Sequence, residues 1–138
     1  MNQHALLISS VDYDRLDPLL RDSVASGLIP RDRLCALRAK LQQAQVLPPS
    51  EMPHDVITMN STVRLRDLDT DDVDTYSLAY PGFADGLKNR VSVLAALGTA
   101  ILGYRTGDMV TWDAPSGRVR VMVEDVAYQP ERAGQYDM

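Results

Sequence analysis

Apolar positions in the first third of the chain recur with helical spacing. Tyr13, Leu16, Leu20 and Val24 follow one another at intervals of three, four and four, which puts them on one face of a helix. Ser10 or Asp12 offers an N-cap before it, and Gly27 suits its end. Pro30 holds a first-turn position, and Leu34, Leu37, Leu41 and Ala44 repeat at three, four and three. Arg31, Arg33, Arg38 and Lys40 fall off that line. Cys35, next to Leu34, is expected to pack in the seam. Two amphipathic helices joined by a few residues predict an antiparallel hairpin, a short coiled coil. Each arm is about fourteen residues, so roughly 20 Å long. The apolar run "ALLIS" (Ala5 to Ser9) before it reads as a short strand.

The period then changes. "LPPSEMPHD" (Leu47 to Asp55) carries three prolines and is read as an extended boundary linker. Val63, Leu65 and Leu68 alternate with Arg64 and Arg66, as in a strand. Thr75 to Tyr80 reads as a second strand, with the acidic turn "DLDTDDVD" between the two. "DMVTWD" and "RVRVMVEDVAY" form a final hairpin around a turn containing Pro115 and Gly117. Ahead of that hairpin lies "VSVLAALGTAILGYRTGD", whose first thirteen residues are uncharged. That run falls short of the ~20 apolar residues a bilayer span needs. It is read as a core helix burying Leu94, Leu97, Ile101 and Leu102, closed by Gly103, with Gly107-Asp108 turning into the next strand. The expected architecture is α+β, a mostly antiparallel sheet with one packed helix behind a helical hairpin. The expected division is residues 1–46 for the hairpin, 47–55 for the linker and 56–138 for the sheet domain.

Composition narrows the chemistry. Of 138 residues, 45% are apolar and 24% charged, ordinary values for a globular chain. One Trp, one Phe and six Tyr predict an aliphatic core and argue against an aromatic-walled ligand pocket. The net charge of −5 argues against phosphate-backbone and sequence-specific DNA binding, but permits docking on a basic protein surface. A single cysteine excludes an intrachain disulfide and fits a reducing, cytoplasmic setting. The N-terminus carries no secretory signal pattern. No phosphate loop is present. One Cys with His4 and His54 cannot make a usual zinc site. Asp67, Asp69 and Asp71 open like a calcium loop, but Asp72 and Leu78 stand where Gly and Glu are required. No cofactor, metal or catalytic residue is expected.

The segment "VSVLAALGTAILGYRTGDMV" resembles the signature of the C-terminal domain of the Gre transcript-cleavage factors, carried here by Ser92, Ala100, Ile101, Leu102, Gly103, Gly107 and Asp108. "EMPHDVITMNSTVRLRDL" and "YQPERAGQYDM" resemble the Gre-like bacterial regulators of nucleoside diphosphate kinase. The resemblance implies an FKBP-like C-terminal domain, a shortened coiled-coil finger, and binding to RNA polymerase at its secondary channel. It also implies an indirect link to nucleoside diphosphate kinase levels. The oligomeric state is open in the sequence, with a monomer as the default expectation.

In Gre factors, acidic residues at the finger tip help hold a catalytic Mg²⁺ at the polymerase active site. The tip here has Gly27 flanked by Asp22 and Asp32, which read equally as solvated helix-end charges. A finger this short and this poor in carboxylates implies binding without strong transcript cleavage. By the same resemblance, docking falls to Ser92, Leu94, Ala95 and Ala96, where the family usually has proline at the last position. Leu94 reads as either a docking residue or core. Two other functions stay open: direct partnership with nucleoside diphosphate kinase, and prolyl isomerisation suggested by the implied fold.

Overall fold

A computed structural model describes residues 6–114 and 117–134. Ala5, His4, Pro115 and the last residues of the "YQPERAGQYDM" tail lie outside the described residues. The elements are β1 (Leu7–Ser9), α1 (Ser10–Ser26), α2 (Arg31–Gln43), β2 (Gln45–Leu47), β3 (Thr62–Asp67), β4 (Val73–Ala79), β5 (Arg90–Ser92), α3 (Ala96–Ile101), β6 (Met109–Ala114) and β7 (Gly117–Tyr128).

The N-cap of α1 is Ser9, one residue before Ser10 and three before Asp12, the two expected. Its backbone is extended, and its Oγ accepts the Asp12 N–H at 3.1 Å. Asp12 therefore sits in the first turn, where a carboxylate suits the helix dipole. Pro18 lies inside α1. It falls on the exposed side, where the carbonyl it leaves unbonded can reach water. Gly27 ends the helix at φ +69°, a left-handed conformation that costs glycine little.

Leu16, Leu20, Leu34, Leu37 and Leu41 close the hairpin seam as expected, each contributing roughly 2 kcal/mol by its burial. The stripe drifts near the tip, where Ser23 turns inward and Val24 is 44% exposed. Ala44 is not helical but caps α2 in an extended conformation. Cys35 is exposed, contrary to expectation. One residue past Leu34 it is rotated about 100° around the axis, off the leucine stripe.

At the hairpin base, β1 and β2 pair in parallel, with Ile8 opposite Val46. The chain after β2 is irregular, as its prolines dictate, with one 3₁₀ turn at Pro49–Glu51. It is nevertheless anchored, since Leu7, Met52 and Val56 form a small core of their own.

The main sheet has the order β5-β4-β3-β7-β6. All neighbours are antiparallel except β5, which runs parallel to β4. Val63 and Leu65 face the core, and Thr62, Arg64 and Arg66 face the other side. A bulge in the β3–β7 ladder shifts the register between Arg64 and Leu65. It lets Val121, Val123 and, across the shift, Val126 all be buried. The acidic turn is held locally: Asp67 Oδ1 accepts the Asp69 and Thr70 N–H groups at 2.8 and 3.1 Å. Arg66 and Arg120 pair with Asp71 and Asp69.

Helix α3 is shorter than expected. Leu94 is buried ahead of it and Leu102 beyond it, both outside helical geometry, while Leu97 is only partly buried. Its core face is completed by Ile101 and by Gly98. A Cβ at position 98 would lie 2.1 Å from the Ser92 carbonyl oxygen. Only glycine lets α3 cross β5 this closely. Hairpin and sheet share one core, in which Leu16, Leu20, Leu37 and Leu41 join Ile57, Val63, Leu78, Val93 and Ile101.

Gly98→Ala is expected to destabilise the protein by about 3 kcal/mol or more. Gly82→Ala, where an added Cβ meets nothing within 4 Å, should be near neutral. Urea denaturation of the two variants beside wild type checks this.

Candidate functional site

Ser92, Ala95 and Ala96 turn the chain from β5 into α3, and all three are half-buried. The Ser92 Oγ accepts the Leu94 N–H at 3.1 Å, and its carbonyl accepts the Ala95 N–H at 3.0 Å. The corner is therefore built by its own serine. Ala95 caps α3 without a side-chain hydrogen bond. Leu94 is 7% exposed and belongs to the main core. Of the two readings of Leu94, the geometry favours core, and the accessible surface of this corner is Ser92, Ala95 and Ala96.

Ala96 opens onto a groove of about 510 Å³. One wall is α2, through Pro30, Asp32, Arg33, Ala36 and Lys40. The other is Ala96, Thr99, Ala100, Tyr104 and the β6 residues Thr111, Trp112 and Asp113. The structure thus brings Asp32 and Ala96 to one place. Asp22 and Gly27 lie on the exposed end of α1 and do not line it. Between Ser26 and Arg31 the tip carries no carboxylate, and its Leu28 is 84% exposed. Because α2 borders the groove from Pro30 to Lys40, the hairpin runs beside α3 and β6.

The floor of the groove depends on a residue whose role the sequence pattern did not show. The Lys40 ammonium donates to the carbonyls of Thr99, Ala100 and Leu102 at 2.7, 2.9 and 2.8 Å. Its Nζ also lies 4.9 Å from the centroid of the Tyr104 ring. These carbonyls are the unsatisfied acceptors at the end of α3, where a cation is favoured. Burial pulls the Lys40 pKa down to about 7, while the three carbonyls and the ring favour the charged form. No spacing signal marks this lysine, since it lies off the leucine stripe like its neighbouring arginines.

A second buried polar cluster holds the start of α1 to the sheet domain. Asp12 Oδ2 accepts the Met59 N–H at 3.1 Å. Thr58 Oγ1 donates to Glu131 Oε1 at 2.7 Å and lies 2.8 Å from Ser61 Oγ. The Gln129 amide donates to the carbonyls of Pro53 and Val56, both at 2.8 Å. Burial, followed by the charge of Glu131, raises the Asp12 pKa to about 7, against the lowering effect of the Met59 N–H and the Ser9 hydroxyl.

Residues 52–128 match the family of the transcription elongation factor GreA/GreB C-terminal domain. The solved GreA/GreB elongation factor from Nitrosomonas europaea superposes with a TM-score of 0.76 at 36% identity, over 91% of this chain and 100% of that one. The chain belongs to the GreA/GreB family. Within it, the chain is 40% identical to the regulator of nucleoside diphosphate kinase of Escherichia coli (strain K12), over 99% of this chain and 98% of the relative. It is 30% identical to the transcription elongation factor GreA of Nitratidesulfovibrio vulgaris, over 72% of this chain but only 62% of that factor.

Two outcomes test these buried polar contacts. Lys40→Met keeps the stem but leaves three carbonyls unpaired, and should lower stability by about 2 kcal/mol or more in thermal unfolding. For Asp12, the folded-state pKa lies above the unfolded value of 3.8. The native state then binds the extra proton, so this contribution is present at low pH and is lost as pH rises from about 4 to about 7. Asp12→Asn should remove that loss. The stability difference between variant and wild type, measured by denaturant titration at successive pH values, should grow in the variant's favour across this window.

Proposed function

We propose that the protein is a non-catalytic transcription regulator that binds RNA polymerase at the secondary channel and influences nucleoside diphosphate kinase levels. Family membership supports the partner, and the names of the relatives denote regulation and elongation. The observation that carries the non-cleaving part is the hairpin. Its arms of 17 and 13 residues span only about 26 and 20 Å, the second arm lies along the sheet domain, and the turn between them offers no carboxylate. Mg²⁺ binds through hard oxygen ligands, and Asp22 and Asp32 stand back from the tip on different helices. Asp32 instead has its Oδ1 3.0 Å from the Arg33 N–H, the role of an ordinary helix-start charge. The docking surface proposed is the corner Ser92, Ala95 and Ala96 with the groove beside it.

The isomerase reading gains nothing from the space between α3 and the sheet. Between α3 and the sheet, beside Tyr76, Leu97 and Trp112, the free space is about 100 Å³, against roughly 300 Å³ for the smallest usual ligand sites. No helix among the described residues is long and apolar enough to cross a membrane.

Core RNA polymerase should retain the protein in a pull-down, and a GreA-type factor should displace it. Ala96→Glu places a charge in the corner at a helix start that tolerates acid, so the fold should persist while binding weakens at least about tenfold. A stalled, backtracked complex should show no stimulated transcript cleavage. Retention of the Glu variant equal to wild type, or efficient cleavage, would overturn the reading.

A further inference from the structure

A second cavity, of about 550 Å³, shares no lining residue with the groove beside α3. Its floor includes Thr62 and Ser77, paired across β3 and β4 with their hydroxyl oxygens 2.9 Å apart. Arg15 of α1 and Arg90 of β5 border it, and the rings of Tyr80, Phe83 and Tyr128 complete it. The scarce aromatics are thus concentrated here, contrary to the expectation of no aromatic-walled pocket. Tyr80 and Phe83 lie three residues apart just after β4, and Tyr128 joins them from the end of β7.

Two features give this cavity a chemical preference. Although the chain carries a net charge of −5, the lining holds two guanidinium groups and no carboxylate. Arg15 also attracts the nearby Asp12 carboxylate, which leaves Arg90 as the group that faces the cavity without an acidic partner. The other strand arginines, Arg64, Arg66, Arg118 and Arg120, each face an Asp or Glu. The Arg90 side chain has no such partner among the described residues. Beside it Phe83, the only phenylalanine in the chain, is 68% exposed rather than buried. Guanidinium groups take phosphates through paired N–H donors. An open aromatic face stacks a nucleobase, typically contributing about 1–3 kcal/mol. The volume falls within the usual range for small-ligand sites, roughly 300–1,000 Å³.

We propose that this cavity binds a nucleoside diphosphate or triphosphate, with its phosphates on Arg90 and its base against Phe83. The site is separate from the groove beside α3, so its success or failure is independent of polymerase docking.

Isothermal titration of the full chain with ADP, GDP, pyrophosphate and guanosine tests it. At least one diphosphate nucleotide should bind with a Kd below about 1 mM, and both pyrophosphate and guanosine should bind at least about tenfold more weakly. Arg90→Ala and Phe83→Ala, both on exposed side chains, should each weaken the nucleotide at least about tenfold with unchanged unfolding midpoints. No heat of binding from either nucleotide, pyrophosphate bound as tightly as the nucleotide, or full affinity in either variant would overturn the proposal.

Discussion

Helix α3 exists because both of its ends are held from outside. Six residues are too few for a helix to persist in water on its own. Ala95 supplies no side-chain cap. Near its start, Gly98 lets it rest directly on the Ser92 carbonyl, and Thr99 Oγ1 donates to Val93 O at 2.6 Å. At its end, the Lys40 ammonium takes three carbonyls at once. That ammonium comes from the hairpin, so the same contact that completes α3 also fixes α2 against the sheet domain. The groove between them is a product of this one cation, and a neutral apolar side chain of equal length could fill the space without satisfying the carbonyls.

The opposite side of the hairpin is tied by polar groups of the other sign. Asp12 reaches Met59, and Glu131 reaches Thr58, one residue earlier in the same loop. Two carboxylates are thereby brought to one buried place from nearly opposite ends of the chain. Their repulsion and the loss of water are partly offset by backbone and hydroxyl donors, and a raised Asp12 pKa is the residue of that imbalance. The loop from Pro53 to Ser61 is therefore held by both ends of the chain: α1 through Met59, and the segment after β7 through Thr58, Pro53 and Val56. This explains why a proline-rich, irregular stretch can carry fully buried residues such as Val56, Ile57 and Met59.

Much of this architecture was legible because it rests on periodicity. The leucine seam of the hairpin and the alternation of β3 follow directly from side-chain spacing, and the Ser92 to Asp108 signature marked the family. The misses share a different origin. Ser9, Cys35 and Val24 were misplaced by one position or one rotation, within the tolerance of a 3.6-residue period. Strand β2 is three residues long with no alternation, and its pairing with β1 is set by the hairpin returning to its base. Lys40, Asp12 and Glu131 carry no local signal at all, since their partners lie dozens of residues away and are mostly backbone atoms. The aromatic cavity was missed because counting rings says nothing of the β3–β7 pairing that brings Tyr128 to Tyr80 and Phe83.

The placement of the hairpin bears most directly on activity. A finger that projects freely can carry carboxylates to a distant metal. Here α2 is fastened at Lys40 and borders the groove as far back as Pro30, so the second arm is held along α3 and β6 over that length. With Ala96 rather than proline at the first turn, the start of α3 lacks a pre-set φ, and its order depends all the more on the Lys40 contact at its far end. A hairpin fastened at Lys40 is then the arrangement that keeps the corner formed.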